Sequence, residues 1–402
     1  MSDGQRSIAI IGAGQAGGRA AEALRAAQFG GPITLIGGER HLPYERPQLS
    51  KSMLVDGAAP KFIRSFEQWA EIDVDLQVGA NAVACDPERR IVALQDGREF
   101  RFDKILLATG TRPRRLTALE AGPVPVAYLR DIDDSIALRD RMFAEERVLL
   151  VGGGVIGLEV AAAAVSRGCR VTVVEAAGDV FAQVGSSTIS AFFRRLHADR
   201  GVSFLLGKTA VANVEGGVRL SDDTFCAADL ILIGIGVEPS LDLACALGLP
   251  SASGIRVDRA GATDIPGIYA AGDVALQWSR FNERWMRIEN WANAQDQAAA
   301  VAKSMIGLEQ CYEPTPWFWT DQYDANLQVV GTLSGVEEIV RGDTAGTKFC
   351  VIGLRDGEVV GGATVNSPKD MAVLRRLVSM RKRPSRSDLE NPSFDLKRAL
   401  AS

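Results

Sequence analysis

The sequence has few histidines and no closely spaced cysteines. It contains only two histidines, His41 and His197, which argues against a Ser-His-Asp triad and against a histidine-based metal site. Its six cysteines are widely scattered, so the chain has no CxxC redox pair, iron–sulfur run or zinc knuckle. Any chemistry is therefore expected to depend on a bound cofactor.

Long apolar runs and a strong net charge are also missing. No window of about 18 apolar residues occurs, and the first residues lack the features of a signal peptide. The formal charge is −5, with 47% hydrophobic and 24% charged residues, which gives no global bias towards nucleic acid or a membrane. Together with the scattered cysteines, these absences predict a globular, cytoplasmic protein with no nucleic-acid or membrane partner, and they leave the oligomeric state open.

Two stretches of the chain carry the same strand, turn and helix pattern. The turn glycines are Gly12, Gly14 and Gly17 in the first copy and Gly152, Gly154 and Gly157 in the second. A further strand follows each helix and leads to an acid, Glu39 or Glu175. Glycines alone could mark only a tight structural turn, but with these neighbours they are typical of dinucleotide binding. Two copies predict two nucleotide sites.

The two copies also end alike. Residues 104–114 read KILLATGTRPR and residues 230–240 read LILIGIGVEPS, each an apolar strand that runs into a glycine turn and then a proline. Between the ends of each copy lies a predicted hairpin segment, with Asp96-Gly97 as a turn signal in the first. The repeat is therefore expected to have the size of a whole domain.

Seven motifs together resemble the oxygenase-coupled, NADH-dependent ferredoxin reductases, which are two-dinucleotide-binding flavoproteins. The motifs are GxGxxG at 12–17, RPxLSK at 46–51, ATG at 108–110, YLR at 128–130, GGGxIGLE at 152–159, AGD at 271–273 and WFWTDQY at 317–323. The resemblance implies an α/β, glutathione-reductase-like fold with two Rossmann-like dinucleotide-binding domains and a small α+β C-terminal domain. The implied boundaries are 1–113 with 242–312 for FAD, 114–241 for NAD, and 313–402 for the C-terminal domain.

The same resemblance implies a set of cofactors, partners and site residues. The cofactors would be non-covalently bound FAD and NADH as electron donor, and the partner would be a 2Fe-2S ferredoxin that supplies a haem monooxygenase or a ring-hydroxylating dioxygenase. The implied cofactor-binding residues are Gly12, Gly14, Ala16, Gly17, Gly38, Glu39, Arg46, Lys51, Ala82, Thr109, Gly110, Arg130, Gly272, Asp273, Trp291, Gly152, Gly154, Ile156, Gly157, Glu159, Glu175 and Gly236.

Three residues would take part in catalysis. Lys51 would lie beside the flavin nitrogen that accepts hydride, paired with Glu159, and Trp319 would lie against the flavin edge that faces the partner. The resemblance also implies that Arg46 and Arg130 lie near the FAD pyrophosphate and that a helix beginning near Asn290 points its positive end at the flavin. The alternatives are that Lys51 is a surface lysine and that Glu159 is only a favourable first-turn acid.

The second nucleotide site favours NADH over NADPH. No arginine or lysine directly follows Glu175, so a 2′-phosphate would meet a carboxylate without a counter-charge. Arg170 is the residue that could still provide one.

Some features keep more than one interpretation. The basic residues Arg375, Arg376, Arg381, Lys382, Arg383 and Arg386 indicate either a solvated helix face or a surface that attracts an acidic ferredoxin. One rival function is that of an NADH oxidase or disulfide reductase, and the lack of cysteine in residues 41–51 argues against the thiol-based forms of both. The other is that of a flavin-bearing interaction protein of the apoptosis-inducing-factor type.

Overall fold

The computed structural model describes residues 6–249, 253–308 and 310–401. The chain divides into two compact units. Unit 1 comprises Met1–Pro47, Pro60–Arg112 and Val237–Pro314, and unit 2 comprises Gln48–Ala59, Pro113–Gly236 and Thr315–Ser402. The three-domain boundaries expected from the sequence stay a prediction.

Strands outnumber helices among the described residues. The helices are α1 Gln15–Ala26, α2 Ser52–Val55, α3 Phe66–Glu71, α4 Thr117–Glu120, α5 Ile132–Arg139, α6 Val155–Ser166, α7 Ser187–Ala198, α8 Asp242–Ala246, α9 Trp291–Met305, α10 Pro368–Ser379 and α11 Arg386–Glu390. The strands are β1 Ile8–Ile11, β2 Ile33–Gly37, β3 Val74–Val78, β4 Ala82–Asp86, β5 Ile91–Leu94, β6 Glu99–Arg101, β7 Lys104–Leu107, β8 Thr111–Pro113, β9 Val126–Ala127, β10 Arg147–Val151, β11 Arg170–Glu175, β12 Ser203–Leu206, β13 Ala210–Val214, β14 Gly217–Leu220, β15 Phe225–Ala227, β16 Leu230–Ile233, β17 Val237–Pro239, β18 Ile255–Val257, β19 Ile268–Ala270, β20 Ala275–Ser279, β21 Arg284–Met286, β22 Trp317–Gln322, β23 Ala325–Gly331, β24 Glu337–Asp343, β25 Lys348–Arg355 and β26 Glu358–Val365.

The main sheet of unit 1 is parallel, with strand order β19-β7-β1-β2-β3. β1 lies at its centre and is buried along its whole length, as expected for a strand covered on both faces. On one face α1 packs closely against α9, because small side chains such as Ala20, Ala21, Ala298 and Ala302 line their contact. The carboxyl ends of the strands form one edge of the sheet, where ligands of open α/β sheets bind.

Unit 2 repeats this arrangement. Its parallel sheet has the order β12-β11-β10-β16-β9, so the glycine-turn strand again lies between the strand that follows its helix and the strand that closes the copy. A three-stranded antiparallel sheet accompanies each copy, β4-β5-β6 in unit 1 and β13-β14-β15 in unit 2. The whole-domain repeat predicted from the sequence is therefore confirmed.

The last part of unit 2 is an antiparallel sheet with order β22-β23-β26-β25-β24. β25 and β26 are joined by Asp356-Gly357, both with positive φ (51° and 77°), which matches the two-residue hairpin turn. α10 packs against the sheet, and a Cβ on Gly362 would lie only 2.8 Å from Leu374 Cδ1. With this sheet and its helices, the fold class predicted from the sequence is confirmed.

The segment 48–59, which carries Lys51, folds with unit 2. Ser135 Oγ donates to the Leu49 carbonyl at 2.8 Å. Arg167 donates to the carbonyls of Leu54 and Val55, each at 3.3 Å, and also to that of Met142 at 3.0 Å. These contacts tie α2 to α5 and α6, so Lys51 is held by the nucleotide-binding fold of unit 2.

Candidate functional site

The first glycine turn joins β1 to α1 and lies against the chain at the end of β7. Gly12 has a φ of +112°, and a Cβ there would lie 2.1 Å from the carbonyl oxygen of Ala108. A Cβ on Gly17 would lie 1.8 Å from the carbonyl oxygen of Gly12. Any side chain would collide with main-chain atoms at both positions, so glycine is required. The exposed backbone of such a turn can approach a phosphate closely.

α1 begins with features that suit an anion. Gly14 is the N-cap, and within the described ranges no side chain caps the helix. The first turn, which includes Ala16, contains no acid, so its N–H groups and the positive end of the helix dipole are available. Arg46 Nη2 lies 3.9 Å from the position of a Cβ on Gly14. This donor set fits the pyrophosphate of FAD.

A ring of three hydrogen bonds joins Glu39, Tyr44 and Arg46 in unit 1. Arg46 donates to Glu39 Oε1 at 2.5 Å and to the Tyr44 hydroxyl at 2.8 Å, and that hydroxyl donates to Glu39 Oε2 at 2.7 Å. Burial lowers the pKa of Arg46, but Tyr44 and Glu39 outweigh it, and the net shift of the pKa is upward. The guanidinium is therefore charged and fixed in position.

Several other predicted residues of unit 1 follow the ends of its parallel strands. Gly38 comes directly after β2, and a Cβ on it would lie 2.2 Å from Asn81 Oδ1. Thr109 and Gly110 follow β7; Thr109 Oγ1 donates to the Ser240 carbonyl at 2.8 Å, and Gly110 has a φ of +65°. Ala82 is the first residue of β4. Gly12, Gly38 and Gly110 thus share one edge of the sheet.

The strand β19 brings a further group to this edge. Gly272 has a φ of +79° and donates its N–H to Gln297 Oε1 at 2.8 Å. Asp273 Oδ2 accepts from Thr111 Oγ1 at 3.5 Å. Gln297 lies on α9, which begins at Trp291 with Asn290 as N-cap. The predicted start of this helix near Asn290 is confirmed.

The second glycine turn has the same construction. Gly152 has a φ of +111°, and its Cβ would lie 2.4 Å from the carbonyl oxygen of Gly234. A Cβ on Gly157 would lie 2.2 Å from the Gly152 carbonyl oxygen. Gly154 is the N-cap of α6, without a capping side chain among the described residues, and Ile156 in the first turn is 45% exposed. This turn also fits a dinucleotide.

Glu175 is held by main-chain amides. Its Oε2 accepts from the Gly153 N–H at 2.6 Å and its Oε1 from the Ala177 N–H at 2.7 Å. Arg170 lies at the opposite end of β11 and pairs with Glu145, with Nε 2.9 Å from Oε2. Lys208, which follows β12, pairs with Asp222 at 2.7 Å. Neither cation neutralises Glu175, so the surroundings disfavour a 2′-phosphate.

Lys51 and Glu159 form an ion pair within unit 2. Lys51 Nζ lies 2.7 Å from Glu159 Oε1, and Glu159 is only 4% exposed. The carboxylate accepts two further hydrogen bonds, one from Ser50 Oγ and one from Thr320 Oγ1 at 2.5 Å. Three donors thus satisfy this buried carboxylate. The first turn of α6 contains no acid, so the alternative that Glu159 is only a first-turn acid is wrong.

Trp319 lies on β22 with its ring stacked on that of Trp317. The two ring centroids are 5.4 Å apart with an interplanar angle of 25°, and the Arg375 guanidinium lies 4.7 Å above the Trp317 ring. Thr320 and Gln322 are buried, and because strand residues alternate, Trp319 projects from the opposite face. Two tryptophans and an arginine therefore form one stacked group on this sheet.

The basic residues near the tail do not share one helix face. Arg375 and Arg376 lie on α10, whereas Arg381 and Arg383 follow its end and both pair with Glu358, at 2.6 and 3.0 Å. Arg386 on α11 pairs with Glu390 at 2.6 Å. Three of the six cations are therefore paired with carboxylates, and the attraction of an acidic ferredoxin to this surface stays a prediction.

The two remaining predicted residues lie in loops of unit 2. Arg130 precedes α5, and its backbone N–H donates to Asp134 Oδ2 at 2.8 Å. Gly236 follows β16 with a φ of +95° and accepts a hydrogen bond from the Arg114 N–H at 3.0 Å.

Four residues that surround or extend the Glu159 site were not predicted from the sequence: Ser50, Thr320, Gln322 and His197. The signals that could have found them were the scarcity of histidine and the alternation within WFWTDQY. Within residues 6–249, 253–308 and 310–401 no group of three or more His, Cys, Asp or Glu side chains could hold a metal ion. The same residues include no helix that is long and apolar enough to cross a membrane.

Comparison with known proteins agrees with this geometry. Residues 6–298 match the pyridine nucleotide-disulphide oxidoreductase family and residues 317–400 the reductase C-terminal family. The ferredoxin–NAD(+) reductase component of the p-cumate 2,3-dioxygenase system of Pseudomonas putida is 43% identical over 400 residues, 99% of each chain. The corresponding component of the anthranilate 1,2-dioxygenase system of Burkholderia cepacia is 40% identical over 397 residues, 96% of this chain and 98% of that one.

A solved structure is similarly close. The crystal structure of the covalent putidaredoxin reductase–putidaredoxin complex superposes with a TM-score of 0.95 at 34% identity, covering 99% of each chain. With two glycine turns, two parallel sheets and relatives matched over their full length, this chain belongs to the ferredoxin–NAD(+) reductases of oxygenase systems, within the pyridine nucleotide-disulphide oxidoreductase family.

Proposed function

We propose that this chain is an FAD-dependent reductase that oxidises NADH and reduces a 2Fe-2S ferredoxin. The observation that carries this function is the pair of glycine turns with the same steric construction but different charges around them. One is flanked by the Glu39–Arg46 ion pair, and the other by Glu175, which forms no ion pair with the cations that the structure describes. Relatives named as components of p-cumate and anthranilate dioxygenase systems support a ring-hydroxylating dioxygenase, in preference to a haem monooxygenase, as the final acceptor.

FAD belongs to unit 1 in this proposal. The turn Gly12–Gly17 and the first N–H groups of α1 bind the pyrophosphate, with Arg46 as the charged donor beside Gly14. Glu39 orients Arg46 and accepts from the adenosine ribose. Asp273 and the N-terminus of α9 hold the ribityl and flavin ends.

NADH belongs to the second glycine turn, in unit 2. Gly152, Gly154 and Gly157 allow its pyrophosphate to approach the backbone, and Glu175 accepts hydrogen bonds from the adenosine ribose. The two amides that already hold Glu175 fix the carboxylate before the nucleotide binds, which reduces the entropy cost of binding.

Lys51 and Glu159 position the reacting groups. FAD, when bound, supplies the ability to take two electrons from NADH and to release them one at a time. With FAD bound, Lys51 would supply a positive charge to the flavin, and Glu159 would hold that charge in place. Arg130 adds a second guanidinium for the pyrophosphate, and Trp319 provides the aromatic surface at which the ferredoxin docks.

An assay with a soluble electron acceptor tests this function. Purified protein with FAD, NADH and cytochrome c is expected to reduce cytochrome c rapidly only after a 2Fe-2S ferredoxin is added, and more slowly with NADPH than with NADH. Equal rates with and without ferredoxin would instead indicate an oxidase or a non-specific diaphorase. Slow turnover together with DNA retention would indicate an interaction protein.

We also propose a cytoplasmic location. In the part of the chain that the structure describes, free thiols are found at Cys85, Cys169, Cys226, Cys311 and Cys350, which suits a reducing compartment.

A further inference from the structure

A row of buried polar side chains leads away from Glu159 through the interior of unit 2. Thr320, Gln322 and His197 are each at most 1% exposed, and they come from β22 and α7. Thr320 Oγ1 lies 2.5 Å from Glu159 Oε1, Gln322 Nε2 lies 3.2 Å from Thr320 Oγ1, and Gln322 Oε1 lies 2.7 Å from His197 Nε2. The row connects α6 to α7 through the first strand of the C-terminal sheet.

The chemistry of the carboxylate fixes the direction of every hydrogen bond in this row. An ionised Glu159 can only accept, so Thr320 gives its single hydroxyl proton to Glu159. The hydroxyl oxygen must then accept from the Gln322 amide nitrogen, and the amide oxygen of Gln322 is left to accept from His197 Nε2. His197 is therefore the tautomer that is protonated on Nε2.

The other side of His197 agrees with this assignment. With the proton on Nε2, Nδ1 carries a lone pair, and the Tyr323 hydroxyl lies 3.3 Å from it and can donate. Burial lowers the pKa of His197 to about 4, so the ring is neutral at pH 7. Every donor in the row thus points towards Glu159, and aligned hydrogen bonds strengthen one another.

The row also bears on Lys51. Lys51 Nζ and Thr320 Oγ1 donate to the same oxygen, Glu159 Oε1. Thr320 therefore restricts the carboxylate to one orientation, and the carboxylate in turn fixes the ammonium group. A buried polar network gives this rigidity only when each member has its partner.

We propose that Thr320, Gln322 and His197 are positioning residues, which hold Glu159, and through it Lys51, in the geometry needed for the reduction of the flavin by NADH. The inference rests on the proposed function for the role of Lys51. None of the three residues touches the cofactor in this proposal.

The tautomer of His197 gives a test that does not depend on activity. The chain has only two histidines, so imidazole ¹⁵N NMR of the holoprotein gives two sets of signals, which His41→Asn assigns. The wild type is expected to show His197 protonated on Nε2 and neutral from pH 5 upward. A ring protonated on Nδ1, or one that titrates near pH 6.5, would overturn the proposed direction of the row.

A matched pair of substitutions tests the link to Lys51. Thr320→Val removes the hydroxyl that contacts Glu159. Thr364→Val makes the same change at a fully buried threonine of the same sheet, whose hydroxyl has no partner among the described residues. Thr320→Val is expected to shift the His197 signals and to slow anaerobic flavin reduction by NADH about 10-fold without changing the NADH dissociation constant. Thr320→Ser is expected to restore both, and Thr364→Val to match the wild type.

Equal reduction rates in Thr320→Val and Thr364→Val would overturn the inference while leaving the proposed function intact. A wild type that NADH does not reduce would instead remove the proposed function, and the NMR result would still stand. If Thr320→Val does not fold, Gln322→Met breaks the row one link further from Glu159 and is expected to slow flavin reduction in the same way. A normal rate in a folded Gln322→Met protein would contradict the proposal.

Discussion

The two glycine turns have nearly the same backbone and different chemical surroundings. In both, a positive φ of about 110° brings the first glycine against a carbonyl oxygen of a neighbouring strand end. Glu39, which follows the first turn, is bound by the side chains of Tyr44 and Arg46, whereas Glu175 is bound by the amides of Gly153 and Ala177. The two turns therefore share their steric construction and differ in the partners of the acid, and in the proposed function these partners decide which dinucleotide suits each turn.

This difference fits the two roles that the proposed function requires. A fixed guanidinium beside the pyrophosphate suits a cofactor that stays bound. A carboxylate held by main-chain amides, as Glu175 is, suits a dinucleotide that lacks a 2′-phosphate and must leave after each turnover. Substitutions made in one region at a time separate the two roles.

The largest effect is expected from alanine in the turns themselves. In Gly12→Ala and Gly152→Ala the new Cβ meets a backbone oxygen, at 2.1 and 2.4 Å, and strain of this kind costs about 1–3 kcal/mol or more. Gly12→Ala is expected to yield protein that lacks FAD or is insoluble, and Gly152→Ala yellow protein with poor NADH reduction. Flavin content and single-turnover reduction distinguish the two. Loss of FAD in both variants would contradict separate sites.

Acid is expected to affect unit 2 through His197. Because burial lowers its folded pKa to about 4 from the ordinary 6.5, the unfolded chain binds the proton more readily, so stability is complete above pH 6.5 and falls as the pH drops towards 4. The free energy of unfolding falls by about 3 kcal/mol over this pH range. Urea denaturation at pH 7 and pH 4.5 should show that the free energy of unfolding falls less between these pH values in His197→Phe than in the wild type. His41→Asn is the control and should keep the wild-type difference; an unchanged difference in His197→Phe would refute the assignment.

Arg46→Ala is expected to weaken FAD binding while leaving the NADH site intact. The substitution removes a charged donor and leaves Glu39 without its cation, at a cost of about 2 kcal/mol, or about 30-fold in FAD affinity. Reconstitution of the apoprotein with FAD, followed by flavin fluorescence, measures the affinity for FAD. Arg46→Lys should restore little, because an ammonium group cannot reproduce the planar donor pair. Full recovery with lysine would mean that charge alone holds the cofactor.

Glu175→Ala makes the corresponding change in the second region and is expected to have the smallest effect. Loss of the ribose acceptor should raise the KM for NADH about 10-fold, or about 1.4 kcal/mol, with normal FAD content. Steady-state kinetics with both nucleotides checks this. If the KM is unchanged, Glu175 does not hold the ribose.

The glycine turns and the strands beside them could be predicted because their signals are local. A glycine that must adopt positive φ or touch a carbonyl group, as Gly12 does, is visible in the spacing alone. The start of α9 was equally clear, because Asn290 precedes an alanine-rich stretch and caps the Asn293 N–H.

Contacts between distant parts of the chain could not be predicted in this way. Glu159 and Thr320 are 161 residues apart, and His197 and Gln322 are 125 residues apart. The alternation of side chains along β22 predicts which of them are buried, but it does not show which helix they contact. The pairing of Arg381 and Arg383 with Glu358 was missed for the same reason, since a run of basic residues shows charge but not its neutralisation.

The visible spectrum of the purified protein, recorded anaerobically before and after one equivalent of NADH per flavin, tests the central claim most directly. We expect one non-covalent FAD per chain, whose absorbance is bleached by NADH in preference to NADPH and recovers when an oxidised 2Fe-2S ferredoxin is added. A colourless protein that takes up no FAD, or a flavin that NADH leaves oxidised, would contradict the account.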